Sequence, residues 1–577
     1  MNLKSISIKI LFAIFWGLIF FFTLRYIGLQ WEYEGLLTRG LIVGVSFVSS
    51  KHIWYSVATV LASGFVASSL VLFMATLFRR NRTVWYQRGL LFSGAAVLII
   101  AVAFVWNRHT ISLSKLPVVY RYYDSTGRLI EAEKYTKNLK NVNVILISID
   151  TLNPEHLGAY GYARDTSPTI DSLAEAGVFF ENAYSHSPKT SPSHMSLFTS
   201  LYPSVHKIRN WNKYQGGYAL DHRVVTLPEI MKNVGYHTAA FTGGGNVQSS
   251  IGFGHGFDVY HDNDQAWENA FSWLDENHSS KFFLFLHTFK VHSPYLPPPP
   301  YNTLFDADYR GDMLDSEEAL KAYFHNKSHN GTDFPGSHQL FWELVDKNDP
   351  RDIEHVVALY DGGIRFMNDK MMATLIKKLR QYHLLENTLL IFTSDHGEEF
   401  LQHGDFLHKE LYDEHIQVPL IINFPKADHY QQKVVKNQVS LIDIVPTILE
   451  YLSLPVPVMM QGSNLLQMIE GKEIALPVFS ERIVISDVPD KKKSIRTLEW
   501  KYIWWPTKKV EELYDLVNDP GEQINVAQKY PEIVGGLYRQ LLDWINENEK
   551  VGQSFGTYTH KFDKATIEKL KSLGYIR

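Results

Sequence analysis

Residues 144–149 read Val-Ile-Leu-Ile-Ser-Ile and stop at Asp150. A run this apolar, with no alternation of polar and apolar positions, belongs to a strand covered on both faces. The pattern recurs at His237–Phe241, at Phe282–His287, at Leu389–Thr393 just before Asp395, and at Leu420–Asn423. Helical stretches stand between them, at Ile170–Ala176, Trp267–Asn277 and Tyr360–Tyr382. Strand–helix alternation across 141–475 predicts an α/β sandwich around a mostly parallel central sheet. In such sheets ligands bind beyond the carboxyl ends of the strands, which is where Asp150 and Asp395 fall.

The texture changes near residue 476. Val478–Ile485 and Leu498–Trp505 read as short strands, Asn518-Asp519-Pro520-Gly521 as a turn, and Ile533–Asn548 as an amphipathic helix. These predict a smaller C-terminal α+β domain over 476–577. Pro297–Pro300 reads as a rigid loop, and 307–349 is polar.

The start of the chain is different again. Residues 1–110 hold ten Lys/Arg against two acids, Glu32 and Glu34, although the whole chain carries a net −5. Three apolar runs lie there, Ile10–Leu24, Val57–Phe78 and Gly89–Trp106. Each approaches the roughly 17–25 residues needed to span a bilayer as a helix. The expectation is a transmembrane region of about three helices over 1–110, then a linker over 111–140. Lys4 and Lys9 before the first run, and Arg79, Arg80, Arg82 and Arg88 between the second and third, put those segments on the cytoplasmic side. This predicts a multi-pass protein of a bacterial cytoplasmic membrane with an extracytoplasmic, periplasmic catalytic domain.

The chain has no cysteine, which excludes disulfides, thiolate metal sites and a Cys nucleophile. Any metal must be held by nitrogen and oxygen ligands. The part of the chain after residue 110 carries −13, so nucleic acid is excluded as a partner.

Three segments carry the chemistry. The first is the strand end Ile145–Asp150. The second is Ser187-Pro-Lys-Thr190-Ser-Pro192-Ser-His194, where Thr190 reads as a helix N-cap with proline in the first turn, a place whose free N–H groups favour an anion. The third is Asp395-His396-Gly397-Glu398-Glu399 with His403, His408 and Lys409 following. Adjacent carboxylate and imidazole at a strand tip suit one divalent metal. His292, just past the Phe282–His287 strand, faces the same rim.

These segments, in this order and spacing, resemble the sulfatase branch of the alkaline phosphatase superfamily, and Glu512–Asn525 is similar to the C-terminal signature of sulfatases. The resemblance implies the alkaline phosphatase/sulfatase-like fold and one divalent metal ion (Zn, Mn, Mg or Ca) bound by Asp150, Asp395 and His396, with Thr190 at the nucleophile position and also on the metal. His292 and Lys409 match the family's cationic contacts to the anionic ester. The departures matter as much. Sulfatases carry a Cys or Ser that is oxidised to formylglycine, and an Arg two residues after the motif proline; here those positions are Thr190 and His194. Oxidation of threonine gives a ketone, so the aldehyde route is closed. An unmodified threonine at this place resembles the phosphoethanolamine transferases and lipoteichoic acid synthases, which also carry membrane spans before the catalytic domain.

The expected function is therefore a membrane-anchored, metal-dependent enzyme that cleaves or transfers a phosphoester through a phospho-Thr190 intermediate. His292, Lys409 and His194 would stabilise charge and His408 or His403 protonate the leaving group. The substrate would be a membrane lipid or an envelope glycan carrying a phospho- or sulfoester. Two alternatives stand beside it: a sulfuric ester hydrolase working without formylglycine, and a non-catalytic module that binds anionic glycans or lipids.

Overall fold

Strand β1 (Asn143–Ile149) is buried along its whole length. Val144 and Leu146 enter one hydrophobic core, while Ile145, Ile147 and Ile149 enter another on the opposite face. Side chains alternate across a strand, so a strand with two covered faces is apolar along most of its length on both of them. The computed structural model describes residues 139–209, 217–263, 265–327, 336–484, 490–560 and 564–573. The three apolar runs of 1–110 and most of the expected linker lie outside the described residues. Among the described residues no helix is long and apolar enough to cross a membrane.

The central sheet adds β2 (Val178–Tyr184), β3 (His237–Thr242), β4 (Val259–Asp262), β5 (Phe282–Thr288), β6 (Thr388–Ser394), β7 (Gln417–Asn423) and β8 (Lys433–Ser440). The spatial order is β8-β2-β7-β6-β1-β5-β3-β4. All neighbours pair in parallel except β7, which runs antiparallel to both β2 and β6. The sheet is thus mixed. The exception follows from the connection: β6 and β7 are joined by 395–416 without a crossover helix long enough to return the chain to the other end of the sheet.

Helices close both faces. On one side α1 (Pro168–Ala176), α3 (Ala266–Asn277), α4 (Pro350–Met367) and α5 (Ala373–Gln381) pack over Ile145, Ile147 and Ile149. On the other, α2 (Thr190–Thr199) and α6 (Ile444–Tyr451) cover Val144 and Leu146. The helix expected at Tyr360–Tyr382 starts earlier, at Pro350 with Asp349 capping it, and passes through a π-helical turn at Asn368–Met372 before α5.

After the central sheet come four antiparallel strands in sequence order, β9 (Val478–Val484), β10 (Asp490–Arg496), β11 (Trp500–Trp505) and β12 (Val510–Asp515). Helix α7 (Pro531–Gly552) lays Leu537, Leu541 and Trp544 on Ile495, Tyr502 and Leu513 of that sheet. The sheet is tied to the 395–416 connection by buried ion pairs, Arg496 to Asp413 at 2.9 Å and Lys501 to both Asp413 and Glu522 at 2.8 Å.

Candidate active site

Parallel register builds the site. Ile149 pairs with Ser394 on one side and Thr288 on the other, so the residues that follow β1 and β6, Asp150 and Asp395, emerge side by side. Ser394 Oγ donates to the Ile149 carbonyl at 2.6 Å, the Thr151 N–H reaches Asp395 Oδ1 at 3.3 Å, and the Leu152 N–H reaches Ser394 Oγ at 3.1 Å. Thr151 takes φ of 59°, a left-handed conformation that a non-glycine residue adopts at some cost in strain.

His396 donates from Nδ1 to the Gly397 carbonyl at 3.0 Å, which turns Nε2 toward the carboxylates, 3.3 Å from Asp395 Oδ2. Gly397 is required by space: a Cβ there would stand 2.2 Å from the Glu414 carbonyl oxygen. Ligand atoms of Asp150, Asp395 and His396 all lie within 4.8 Å of one another. All three side chains are buried, and Asp395 Oδ2 and His396 Nε2 have no hydrogen-bond partner. Burial raises the Asp150 carboxyl far above the usual range, and the charges of Asp395 and Glu398 push it further. Burial likewise raises Asp395. A buried carboxylate pair with an imidazole lone pair aimed between them fits a divalent cation, whose charge would offset the desolvation.

Thr190 stands at the first position of α2, a helix whose ten residues are all buried. The cap position falls one residue earlier than the sequence suggested, on Lys189, whose side chain makes no capping bond. The Thr190 side chain stands close enough to Asp150 to lower its carboxyl against burial. Ser193 Oγ donates to the Asp395 carbonyl at 2.5 Å and so fastens the helix start to the end of β6.

The remaining sequence candidates are placed unequally. His292 lies against the trio, its Nε2 4.0 Å from Asp150 Oδ1, and burial holds its pKa down at about 3. His408 Nδ1 and Glu398 Oε1 are hydrogen-bonded at 2.9 Å, and the His408 ring lies 4.3 Å from that of His396. His194 sits behind Thr190: Nδ1 donates to the Thr190 carbonyl at 3.0 Å and Nε2 accepts from Ser148 Oγ at 2.9 Å. Burial lowers its pKa to about 4, so it is a neutral ring. His403 turns away, bonded to Glu414 and to the Glu522 carbonyl. Lys409 is about half exposed and pairs with Asp405 at 2.7 Å, outside the cluster.

Sequence reasoning passed over Lys189, His287, Asn246 and the distinct role of Glu398. Lys189 extends its Nζ to the His408 carbonyl at 2.8 Å, close enough for its charge to lower the Asp150 carboxyl against burial. Burial pulls the ammonium itself down to about 8. His287, near the end of β5, has Nε2 3.5 Å from Asp150 Oδ2. The Asn246 carbonyl accepts from Ser191 Oγ at 2.6 Å, while its side-chain amide is buried without a hydrogen-bond partner. Two signals were present: Lys189 adjoins Thr190, and His287 ends a strand beside one that bears an active carboxylate.

Comparison with known proteins gives this geometry a context. The chain is 26% identical over 483 residues to arylsulfatase K of Canis lupus familiaris, covering 74% of this chain and 86% of that protein. It is 26% identical over 492 residues to arylsulfatase K of Homo sapiens, covering 76% and 88%. The delta 4,5-hexuronate-2-O-sulfatase of Bacteroides thetaiotaomicron is 24% identical over 445 residues, covering 70% and 88%. Among solved structures, the phosphonate monoester hydrolase of Agrobacterium radiobacter shares the fold at a TM-score of 0.57 and 22% identity, covering 70% of this chain and 96% of that one. A 2-O glycosaminoglycan sulfatase does so at 0.56 and 22%, covering 73% and 95%. The likeness to arylsulfatase K overturns the expected location as a multi-pass protein of a bacterial cytoplasmic membrane. Residues 401–547 match the family model described as N-sulphoglucosamine sulphohydrolase, C-terminal. The sulfatase model matches 142–454, more than half the chain, and the chain accordingly belongs to the sulfatase family, as a hydrolase of that superfamily.

Proposed function

We propose that this enzyme hydrolyses sulfate esters of anionic saccharides at Thr190, without formylglycine. The observation that carries the reading is the buried trio Asp150, Asp395 and His396 with Thr190 at the helix start beside Asp150. The substrate class rests on the relatives, whose names are arylsulfatase and hexuronate-2-O-sulfatase. A divalent cation held by Asp150, Asp395, His396 and Thr190 would lower the pKa of the threonine hydroxyl and draw charge from the ester oxygens. Thr190 Oγ attacks sulfur in line, its proton passing to Asp150. The ester S–O bond breaks, and the departing alcohol oxygen takes the Nε2 proton of the neutral His408 ring, which is replaced at Nδ1 by the proton of the Glu398 carboxyl, raised by burial to about 8. Water then attacks the same sulfur, releasing sulfate and restoring the hydroxyl. Lys189 supplies positive charge beside the reacting group, and His292 and the Asn246 amide line its approach. His194 fixes the Thr190 backbone rather than touching the ester.

The test is turnover of p-nitrophenyl sulfate and bis-p-nitrophenyl phosphate by the full chain with Zn²⁺, Mn²⁺, Mg²⁺ or Ca²⁺, each against Thr190→Ala. Sulfate turnover that falls by more than about 100-fold in the variant is expected. A second reading, phosphoester cleavage through phospho-Thr190, is favoured by one observation: a chain without cysteine and with threonine at this place has no route to the aldehyde. Diester turnover without sulfate turnover would establish that reading and end the first.

A further inference from the structure

Glu398 and Glu399 are consecutive, and neighbours in extended backbone point to opposite sides. Glu398 bonds Tyr295 and His408 at the candidate active site. Glu399 turns the other way. Its Oε1 accepts the N–H groups of His403 and Asp405 at 2.9 and 3.0 Å, which leaves Oε2 facing His415 Nε2 at 3.1 Å. Glu414 closes the group, with one of its oxygens held by His403 Nδ1. Ligand atoms of Glu399, Glu414 and His415 lie within 4.8 Å of one another. His415 is fully buried; its Nε2 faces Glu399 Oε2, and its Nδ1 has no hydrogen-bond partner. An imidazole buried among acids with a ring nitrogen left unpaired is expensive unless something else satisfies it.

We propose that Glu399, Glu414 and His415 bind a second divalent cation, of the Zn²⁺ or Mn²⁺ class. Two carboxylates and one imidazole are a ligand set for a borderline ion, with a coordination position left for water. The hydrogen bonds from His403 and the backbone hold the two carboxylates in orientation, as outer partners do around metal ligands. The consequence is mechanical. Glu399, next to Glu398, opens and His415 closes the stretch that bears His408, and the Gly397 N–H donates to the His415 carbonyl at 3.0 Å. A cation here pins both ends of that stretch, back to back with the first site.

The experiment counts metal in the full chain. Asp395→Asn disables the first trio; the protein is stripped with chelator, equilibrated with Zn²⁺ or Mn²⁺, and its bound metal measured by plasma mass spectrometry. One equivalent should remain in Asp395→Asn, and its melting temperature should rise with the ion. Adding His415→Gln should weaken uptake by more than about tenfold and abolish the thermal shift. Because His415 is buried and its variant can fail to fold, Glu414→Gln, at a partly exposed residue, is read in parallel with the same expectation. Asp395→Asn protein that takes up no metal, or folded double variants that bind as Asp395→Asn does, would overturn the proposal.

Discussion

Two lysines flank the chemistry in sequence, and only their surroundings tell them apart. Lys409 matched the family's motif position, yet it ends about half exposed on Asp405, where an ion pair is worth about 0–1 kcal/mol. Lys189 carried no motif, yet it points beneath His408 with its charge felt by Asp150. Lys409→Met should leave kcat/KM within about threefold, whereas Lys189→Met should lower it by more than about 100-fold, measured with whichever ester the enzyme turns over. Gly397 offers a sharper steric test. Its Cβ would meet the Glu414 and Gln417 carbonyl oxygens, so Gly397→Ala should cost about 1–3 kcal/mol of stability by denaturant unfolding. Asp150, Thr190, Asp395 and His396 were all singled out from sequence because strand ends and a helix start have local signatures. Side-chain direction has none, which is why the roles of Lys189, His194 and Lys409 needed the fold.

At the scale of elements, the strands of the central sheet read from sequence are those buried on both faces. β2, β4 and β8 went unread because they mix exposed or half-buried positions into their runs. The reversed direction of β7 was equally invisible, since a strand's composition does not record which way it runs. β1 carries Asp150 on a rod packed from both sides, and that rigidity positions the carboxylate. Ile147→Ala, at a fully buried position between α-helices and sheet, should cost about 2–5 kcal/mol while leaving the candidate site residues in place. The expected outcome is a lower unfolding midpoint with kcat/KM changed far less than by Lys189→Met.

At the scale of the whole molecule, buried histidines set the response to acid. His186 and His206 are held neutral mainly by burial, at about 4 and about 3 against an unfolded value of 6.5. Each folded pKa is depressed, so between 6.5 and the folded value the unfolded chain binds a proton that the native one refuses. Their contribution is therefore present above pH 6.5 and lost as pH falls toward 4, each at about 1.4 kcal/mol per pH unit. His206→Gln should flatten the loss of stability between pH 6.5 and 4.5, followed by denaturant midpoints. Removing bound metal should act in the same global way: with Asp150, Asp395 and Glu398 raised by burial, chelator-treated protein should melt lower and recover on adding the ion. The sequence by itself determined the sandwich, the apolar core and the residues at the strand tips, because burial on two faces and termination at a charged residue are written locally along the chain. Only the tertiary structure decided which side chains meet, which lysine faces the cluster, how the last sheet docks and where a second acid–imidazole group forms. Those depend on register and on the path of the 395–416 connection, which join residues hundreds of positions apart.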